Sequence, residues 1–275
     1  MRIITTLLLA LKYVMWRWFL VKKEHHQKGF VDCDNAKIYF ESYGRGDSLI
    51  LLHGGLVTMQ VWYCQLPVLC QKYRVISIDL RGHGRSTLGT DKLTYRLMAD
   101  DIAKVMEFLK VQKGSVIGWS DGGNTGLLLA LHYPALLNCL IAISANFNSA
   151  GVNSEKLKAL DTMTAENHNI FSRISYQLMS SESGSKSKSW KELWSQVTEM
   201  WKTRPQLTYT DLQTIKTPTL LLVGEFDDIK PKHTERMYEA ISNSQIKIIK
   251  NAKHGLIHEN AKEVNNAILN FLSEK

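Results

Sequence analysis

Cysteine is scarce in this chain: Cys33, Cys64, Cys70 and Cys139 are the four among 275 residues. None of their spacings matches a zinc site. Cys64 and Cys70, six apart on a predicted helix, read as core residues, so neither a disulfide framework nor a bound metal is expected. Internal repeats and long disordered tracts are lacking as well, which argues against a solenoid or an extended linker protein. The body of the chain also has no basic stripe. The formal net charge is +8, but Arg2, Lys12, Arg17, Lys22, Lys23 and Lys28 against Glu24 place five of those charges in the first 28 residues. With no nucleic-acid motif in the remainder, nucleic acid is not an expected partner.

Long apolar runs are missing with one exception, the stretch from Ile3 to Val21, rich in Leu, Ile, Trp and Phe. As a helix it would be about 28 Å long, just enough to reach across a bilayer. Lys12 and Arg17 interrupt it, each costing about 2.5 to 3.5 kcal/mol if held at the bilayer centre. Thr5, Thr6, Lys12, Tyr13 and Arg17 fall on one side of the helical wheel, and Ile4, Leu8, Leu11, Met15 and Trp18 on the other. An interfacial helix therefore competes with a spanning one. Lys12 also breaks the apolar core that a cleaved signal would need, and no small-x-small site follows before Lys22 and Lys23. The expectation is a membrane-associated tail over residues 1–28, touching the membrane surface through residues 1–23. Positive charge after Val21 would keep the following domain cytoplasmic if the tail spans.

The rest of the chain is long enough, at 44% hydrophobic residues overall, to bury one large core. Strand-like runs at Lys37–Ser42, Ser48–Leu52, Arg74–Asp79, Ser115–Gly118, Leu137–Ile143, Thr219–Val223 and Gln245–Ile249 alternate with helical patterns. The helical patterns lie near Val61–Gln71, Tyr95–Leu109, Asn124–His132, Lys232–Ile241 and Lys262–Leu272. Such alternation predicts an α/β fold, a mostly parallel sheet covered on both faces. Between Asn146 and about Gln213 it stops, and a polar, helix-prone insertion follows, with Ser180 to Ser185 as its most flexible stretch. Trp190, Leu193, Trp194, Val197 and Trp201 recur there at helical spacing. That stripe either packs on the main body or lines a pocket.

One segment carries chemistry. Val116-Ile117-Gly118-Trp119-Ser120-Asp121-Gly122-Gly123 runs an apolar strand through Gly-x-Ser-x-Gly into a helical run, the pattern of a nucleophile elbow. An aspartate follows a later strand in Gly224-Glu225-Phe226-Asp227, with Asp228 beside it, and a histidine follows the last strand in Ala252-Lys253-His254-Gly255. Serine, acid, histidine is the chain order of hydrolase-fold enzymes, and each group stands at the carboxyl end of a strand, where a parallel sheet gathers its site. Ser120 is a weak nucleophile as an alcohol. His254 would accept its proton, and an aspartate would fix the imidazole tautomer and stabilise the imidazolium. His53, His83 and His258 read as loop-organising or outlying groups.

Together with Leu49-Ile50-Leu51-Leu52-His53-Gly54-Gly55 and Asp79-Leu80-Arg81-Gly82-His83-Gly84-Arg85-Ser86, these segments resemble the α/β-hydrolase superfamily over roughly residues 30–275. The run Gly118-Trp119-Ser120-Asp121-Gly122-Gly123, followed by Leu127 to Pro134, is similar to its valacyclovirase (biphenyl hydrolase-like) branch. The resemblance implies an eight-stranded, mostly parallel sheet built from residues 29–145 and 214–275, with a helical cap of residues 146–213 inserted after strand 6. It assigns the acid role to Asp227 rather than Asp228, and the oxyanion hole to the backbone N–H groups of Gly55 and Asp121. In that branch the aspartate matching Asp121 engages the amino group of an α-amino-acid ester, so Asp121 becomes a candidate substrate contact. A structural reading competes: a carboxylate that benefits from the following helix N-terminus or pairs with an internal cation.

The implied activity is cofactor-independent hydrolysis of a small-molecule carboxylic ester through an acyl-enzyme. Carbon–carbon bond or lactone hydrolysis on the same triad, a lipid-directed esterase, and a low-turnover sensing or binding protein remain as alternatives. Epoxide hydrolases and dehalogenases of the superfamily carry an aspartate where this chain has Ser120.

Overall fold

The protein is described by a computed structural model over residues 26–167 and 190–275. Eight strands form one sheet in the order β1-β2-β4-β3-β5-β6-β7-β8. They are β1 Gln27–Cys33, β2 Ala36–Tyr43, β3 Ser48–Leu52, β4 Arg74–Ile78, β5 Gly114–Trp119, β6 Leu137–Ile143, β7 Thr219–Gly224 and β8 Ser244–Ile249. The β1–β2 and β2–β4 pairs are antiparallel, and every later pair is parallel. The fold is the α/β-hydrolase architecture expected from the sequence.

All seven strand-like runs form strands. The eighth, β1, is not among them because it lies at the sheet edge, pairs only with β2, and buries only Val31 and Cys33. Its start at Gln27 also falls inside the stretch assigned to the tail. The tail expectation otherwise concerns residues 1–25, which lie outside the described residues. Among the described residues, no helix is long and apolar enough to cross a membrane.

The helices are α1 Leu66–Leu69, α2 Tyr95–Phe108, α3 Asp121–His132, α4 Ser154–Ala159, α5 Trp190–Thr203, α6 Tyr209–Thr214, α7 Pro231–Ala240, α8 Leu256–Glu259 and α9 Ala261–Ser273. Local chemistry sets several boundaries. Thr94 caps α2 by accepting the Leu97 N–H, and Thr208 and Asp211 form a reciprocal capping box on α6. The expected helix over Val61–Gln71 is instead a 3-10 turn, Met59–Cys64, followed by α1. Pro67 lies in the first turn of α1, where its missing N–H is tolerated, but it cannot continue a helix arriving from Cys64. Cys64 and Cys70 are half-buried, Cys70 packing against the core as expected, and all four cysteines are free.

Strand alternation divides the core in two. Ile50, Leu52, Val116, Leu140 and Ala142 face one layer with α2, α3 and α7, while Leu49, Leu51, Ile117, Ile141 and Ile143 face the other with Trp62, Leu66 and α9. After β6 the insertion contributes α4, α5 and α6; its serine-rich stretch belongs to residues 168–189, outside the described residues. Trp190, Leu193, Trp194, Val197 and Met200 of α5 are buried and join the first core layer. Trp201, at the end of the same stripe, is only half-buried and turns toward the site.

Candidate active site

The carboxyl ends of β3 to β8 point to one rim of the sheet, and the polar residues singled out by the sequence lie along it. Ser120 sits between β5 and α3 with φ 55 and ψ −118, a strained conformation that costs of order 1–3 kcal/mol for a non-glycine residue. It is held by its N–H to Ile143 O at 2.8 Å and its own carbonyl accepting from Asn124 N at 2.9 Å. Gly122 makes the bend possible, since a Cβ there would run into the Leu52 carbonyl. The outcome is a serine hydroxyl projecting from a rigid corner.

That hydroxyl lies 3.0 Å from His254 Nε2, and His254 Nδ1 lies 2.7 Å from Asp227 Oδ1. Residues 107 and 134 positions apart from Ser120 thus form one hydrogen-bonded chain. Asp227 is buried, and its oxygens also accept from Ile229 N at 3.0 Å, Gly224 N at 3.2 Å and the Ser144 hydroxyl at 2.6 Å. Burial works against its charge, but the His254 hydrogen bond and charge, with Ile229 and Ser144, outweigh it and hold the carboxyl below its ordinary range. Burial likewise pulls the His254 imidazolium down, and Asp227 more than offsets this, so the ring titrates above its ordinary 6.5. Asp228 points elsewhere and pairs with Lys156 at 3.2 Å. Nδ1 of His254, facing a carboxylate, carries the proton, which leaves Nε2 as the acceptor facing Ser120.

Four supporting contacts have no counterpart in the sequence reading. Ser144, at φ 52 just past β6, is the one hydroxyl donor among the four hydrogen-bond partners of the Asp227 carboxylate. Trp119 Nε1 donates to the His254 carbonyl at 2.9 Å, fixing the loop that carries the imidazole. Tyr95 Oη and Trp201 Nε1 both donate to the Asp121 carboxylate, at 2.9 Å and at 2.9 and 3.0 Å respectively. Ser144 stands at the carboxyl end of a parallel strand, a position that itself marks site residues. Trp201 belongs to the stripe that the sequence left open to line a pocket, whereas Tyr95 had no comparable signal, since it reads only as the first residue of a predicted helix.

Asp121 is the first residue of α3, so its backbone N–H has no intrahelical acceptor. Its side chain is buried, and among the described residues no Lys or Arg pairs with it. Burial pushes its carboxyl up to about 6, with Trp201, Tyr95 and the His254 charge opposing that rise. Gly55 lies directly across from it: a Cβ on Gly55 would run into Asp121 Oδ2 and stand 2.8 Å from Trp201 Cζ2. The loop after β3, the first turn of α3 and the end of α5 therefore meet at one point beside Ser120. His258 lies outside this chain of contacts; it stacks on Tyr63 at 4.7 Å between ring centroids, and burial pushes it down to about 4.

A family profile for the alpha/beta hydrolase fold matches residues 47–261. The chain belongs to the alpha/beta-hydrolase family. RutD of Caulobacter sp. (strain K31), which bears the name of a carbamate hydrolase, is 29% identical over 90% of this chain and 98% of its own length. The pimeloyl acyl-carrier-protein methyl ester esterase of Aeromonas hydrophila is 34% identical over a shorter stretch, 38% of this chain and 41% of that protein. Among solved structures, the carboxylesterase CesB from Bacillus subtilis superposes with a TM-score of 0.73 at 22% identity, covering 98% of both chains. This last likeness concerns the fold.

Proposed function

We propose that this chain is a serine hydrolase that cleaves small carboxylic esters through an acyl-enzyme. The observation that carries the reading is the unbroken contact from Ser120 Oγ through the His254 ring to Asp227, at 3.0 and 2.7 Å. Ser120 attacks the ester carbonyl carbon while His254 Nε2 takes its proton, and the same ring returns that proton to the departing alkoxide. Water then repeats the sequence on the acyl-enzyme, giving the acid and restoring the hydroxyl. The backbone N–H groups of Gly55 and Asp121 are the donors for the tetrahedral oxyanion, a contribution of several kcal/mol when both are aligned.

Asp121 supports a narrower substrate class, esters that carry an ammonium near the acyl carbon. Among the described residues the buried carboxylate is served only by neutral donors, so it keeps capacity for a cation, and a substrate ammonium would supply a charge that those residues do not. The names of the esterase and carbamate-hydrolase relatives support acyl transfer to water in general and leave the acyl group open.

A matched panel of aminoacyl and plain acyl esters, with a carbamate included, tests both parts on wild type and Ser120→Ala. Turnover of esters that disappears in Ser120→Ala is the expected result. Ester turnover persisting in that variant, or none in the wild type, overturns the serine-hydrolase reading.

A further inference from the structure

Two histidines that take no part in the proton relay join the loop after β3 to the loop after β4 in a reciprocal way. His53, in the first loop, accepts the backbone N–H of Leu80 in the second, at 2.9 Å to Nε2. His83, in the second, accepts the backbone N–H of Leu56 in the first, at 3.0 Å to Nε2. Accepting at Nε2 requires the proton to be on Nδ1 in each ring, and each Nδ1 faces a carbonyl: Gly54 O at 2.6 Å for His53 and Arg81 O at 2.9 Å for His83. Both rings are buried, with centroids 5.1 Å apart. Burial holds both well toward the neutral form that this pattern needs, His83 at about 4.

The residues so gripped surround Gly55. The trans peptide between Gly54 and Gly55 is planar, with its carbonyl and N–H on opposite sides, so fixing Gly54 O fixes the direction of the Gly55 N–H. On the other side, Leu56 holds φ 57, a left-handed conformation disfavoured for leucine, and its N–H is the one that His83 accepts. Asp79 secures the same loop further on by accepting the Met59 N–H at 2.9 Å. We infer that His53 and His83 form a clasp that orients the Gly55 N–H toward the oxyanion, which makes them positioning residues for the transition state rather than general loop supports. The inference rests on the oxyanion role given to Gly55 above.

The two nitrogens of each ring have separable jobs, and side-chain amides can imitate them singly. Asparagine places an N–H near the position of Nδ1, and glutamine places a carbonyl oxygen near that of Nε2. The experiment measures kcat and KM for a simple acyl ester, thermal unfolding, and backbone hydrogen exchange in His83→Ala, His83→Gln, His53→Asn and His53→Gln.

The clasp predicts that His83→Ala lowers kcat by about ten- to a hundred-fold, less than outright loss of an oxyanion donor, with KM changed less than about two-fold. His83→Gln should recover most of that loss. His53→Asn, which keeps the donor to Gly54 O, should retain more kcat than His53→Gln, which does not. Exchange at Leu56 should quicken in His83→Ala and at Leu80 in His53→Asn. If folded His83→Ala keeps its kcat, if Gln is no better than Ala at position 83, or if the two His53 variants rank the other way, the clasp is wrong. A wild type without ester turnover defeats the proposed function instead. The exchange data then decide the clasp alone, with unchanged exchange at Leu56 and Leu80 counting against it.

Discussion

Replacing Asp121 by asparagine separates what the carboxylate costs the fold from what it offers a substrate. Burial moves this carboxyl from its usual 3.8 to about 6, with Trp201 and Tyr95 offsetting only part of the penalty. At about 1.4 kcal/mol for each tenfold change in an equilibrium constant, keeping it ionised in the folded protein costs about 3 kcal/mol. The sign is that of a raised folded-state value: stability contributed by the neutral form is complete below the unfolded value of 3.8 and is lost as pH rises through about 6. Asparagine is neutral throughout, and its Oδ1 accepts from both Trp201 and Tyr95. Its amide N–H groups replace an acceptor oxygen, however, and leaving them poorly paired takes back about 1–2 kcal/mol.

Urea unfolding should therefore find Asp121→Asn more stable than wild type by about 1–2 kcal/mol at pH 8, with no such advantage at pH 4. The same variant should lose activity selectively. A charge-assisted hydrogen bond from a substrate ammonium is worth about 1.5–3 kcal/mol, so the preference for aminoacyl over plain acyl esters should fall by about ten- to a hundred-fold. A variant no more stable than wild type at pH 8 relative to pH 4 refutes the burial argument. An unchanged preference for aminoacyl esters refutes the ammonium contact, whatever the stability data show.

Other consequences follow from the same geometry. Asp227→Asn should lower kcat by about 10⁴-fold in steady-state assays, because the amide can stabilise the wrong imidazole tautomer. The acid limb of the kcat/KM profile should lie above pH 6.5, since His254 is raised above that value and must be neutral to act; activity gained on lowering the pH below 6.5 would contradict this. Trp201→Phe removes the indole N–H from a buried carboxylate, so the Asp121 carboxyl should titrate higher than in wild type by carbon-13 NMR. Ser144→Ala should reduce kcat by up to about ten- to a hundred-fold with little change in KM, the size expected for one lost hydrogen bond to a charged group.

Much of the sheet was legible because its strands are buried on both faces and read as continuous apolar runs, as in Leu49–Leu52 and Leu220–Val223. β1 escaped for the opposite reason: it is an edge strand with most side chains in solvent. The helix expected over Val61–Gln71 broke at Gln65, just ahead of Pro67, a turn-level effect that apolar periodicity does not show. At the site, Ser120, Asp227 and His254 stood out because strand ends and glycine turns mark them locally. The sequence also singled out Asp121, yet its donors Tyr95 and Trp201 come from α2 and α5, 26 and 80 residues away, and only folding brings them together. His53 and His83 were readable as loop organisers, but their reciprocal exchange of backbone partners depends on β3 and β4 being adjacent and parallel.

The proposed reaction depends most on Ser120 being an activated nucleophile. Incubation with a fluorophosphonate followed by intact-mass and peptide mass spectrometry tests this directly. One adduct per chain, located on Ser120, absent in Ser120→Ala and strongly slowed in His254→Ala, is the predicted result. No adduct on the folded wild-type protein, or an adduct on another residue with Ser120 unmodified, would contradict it.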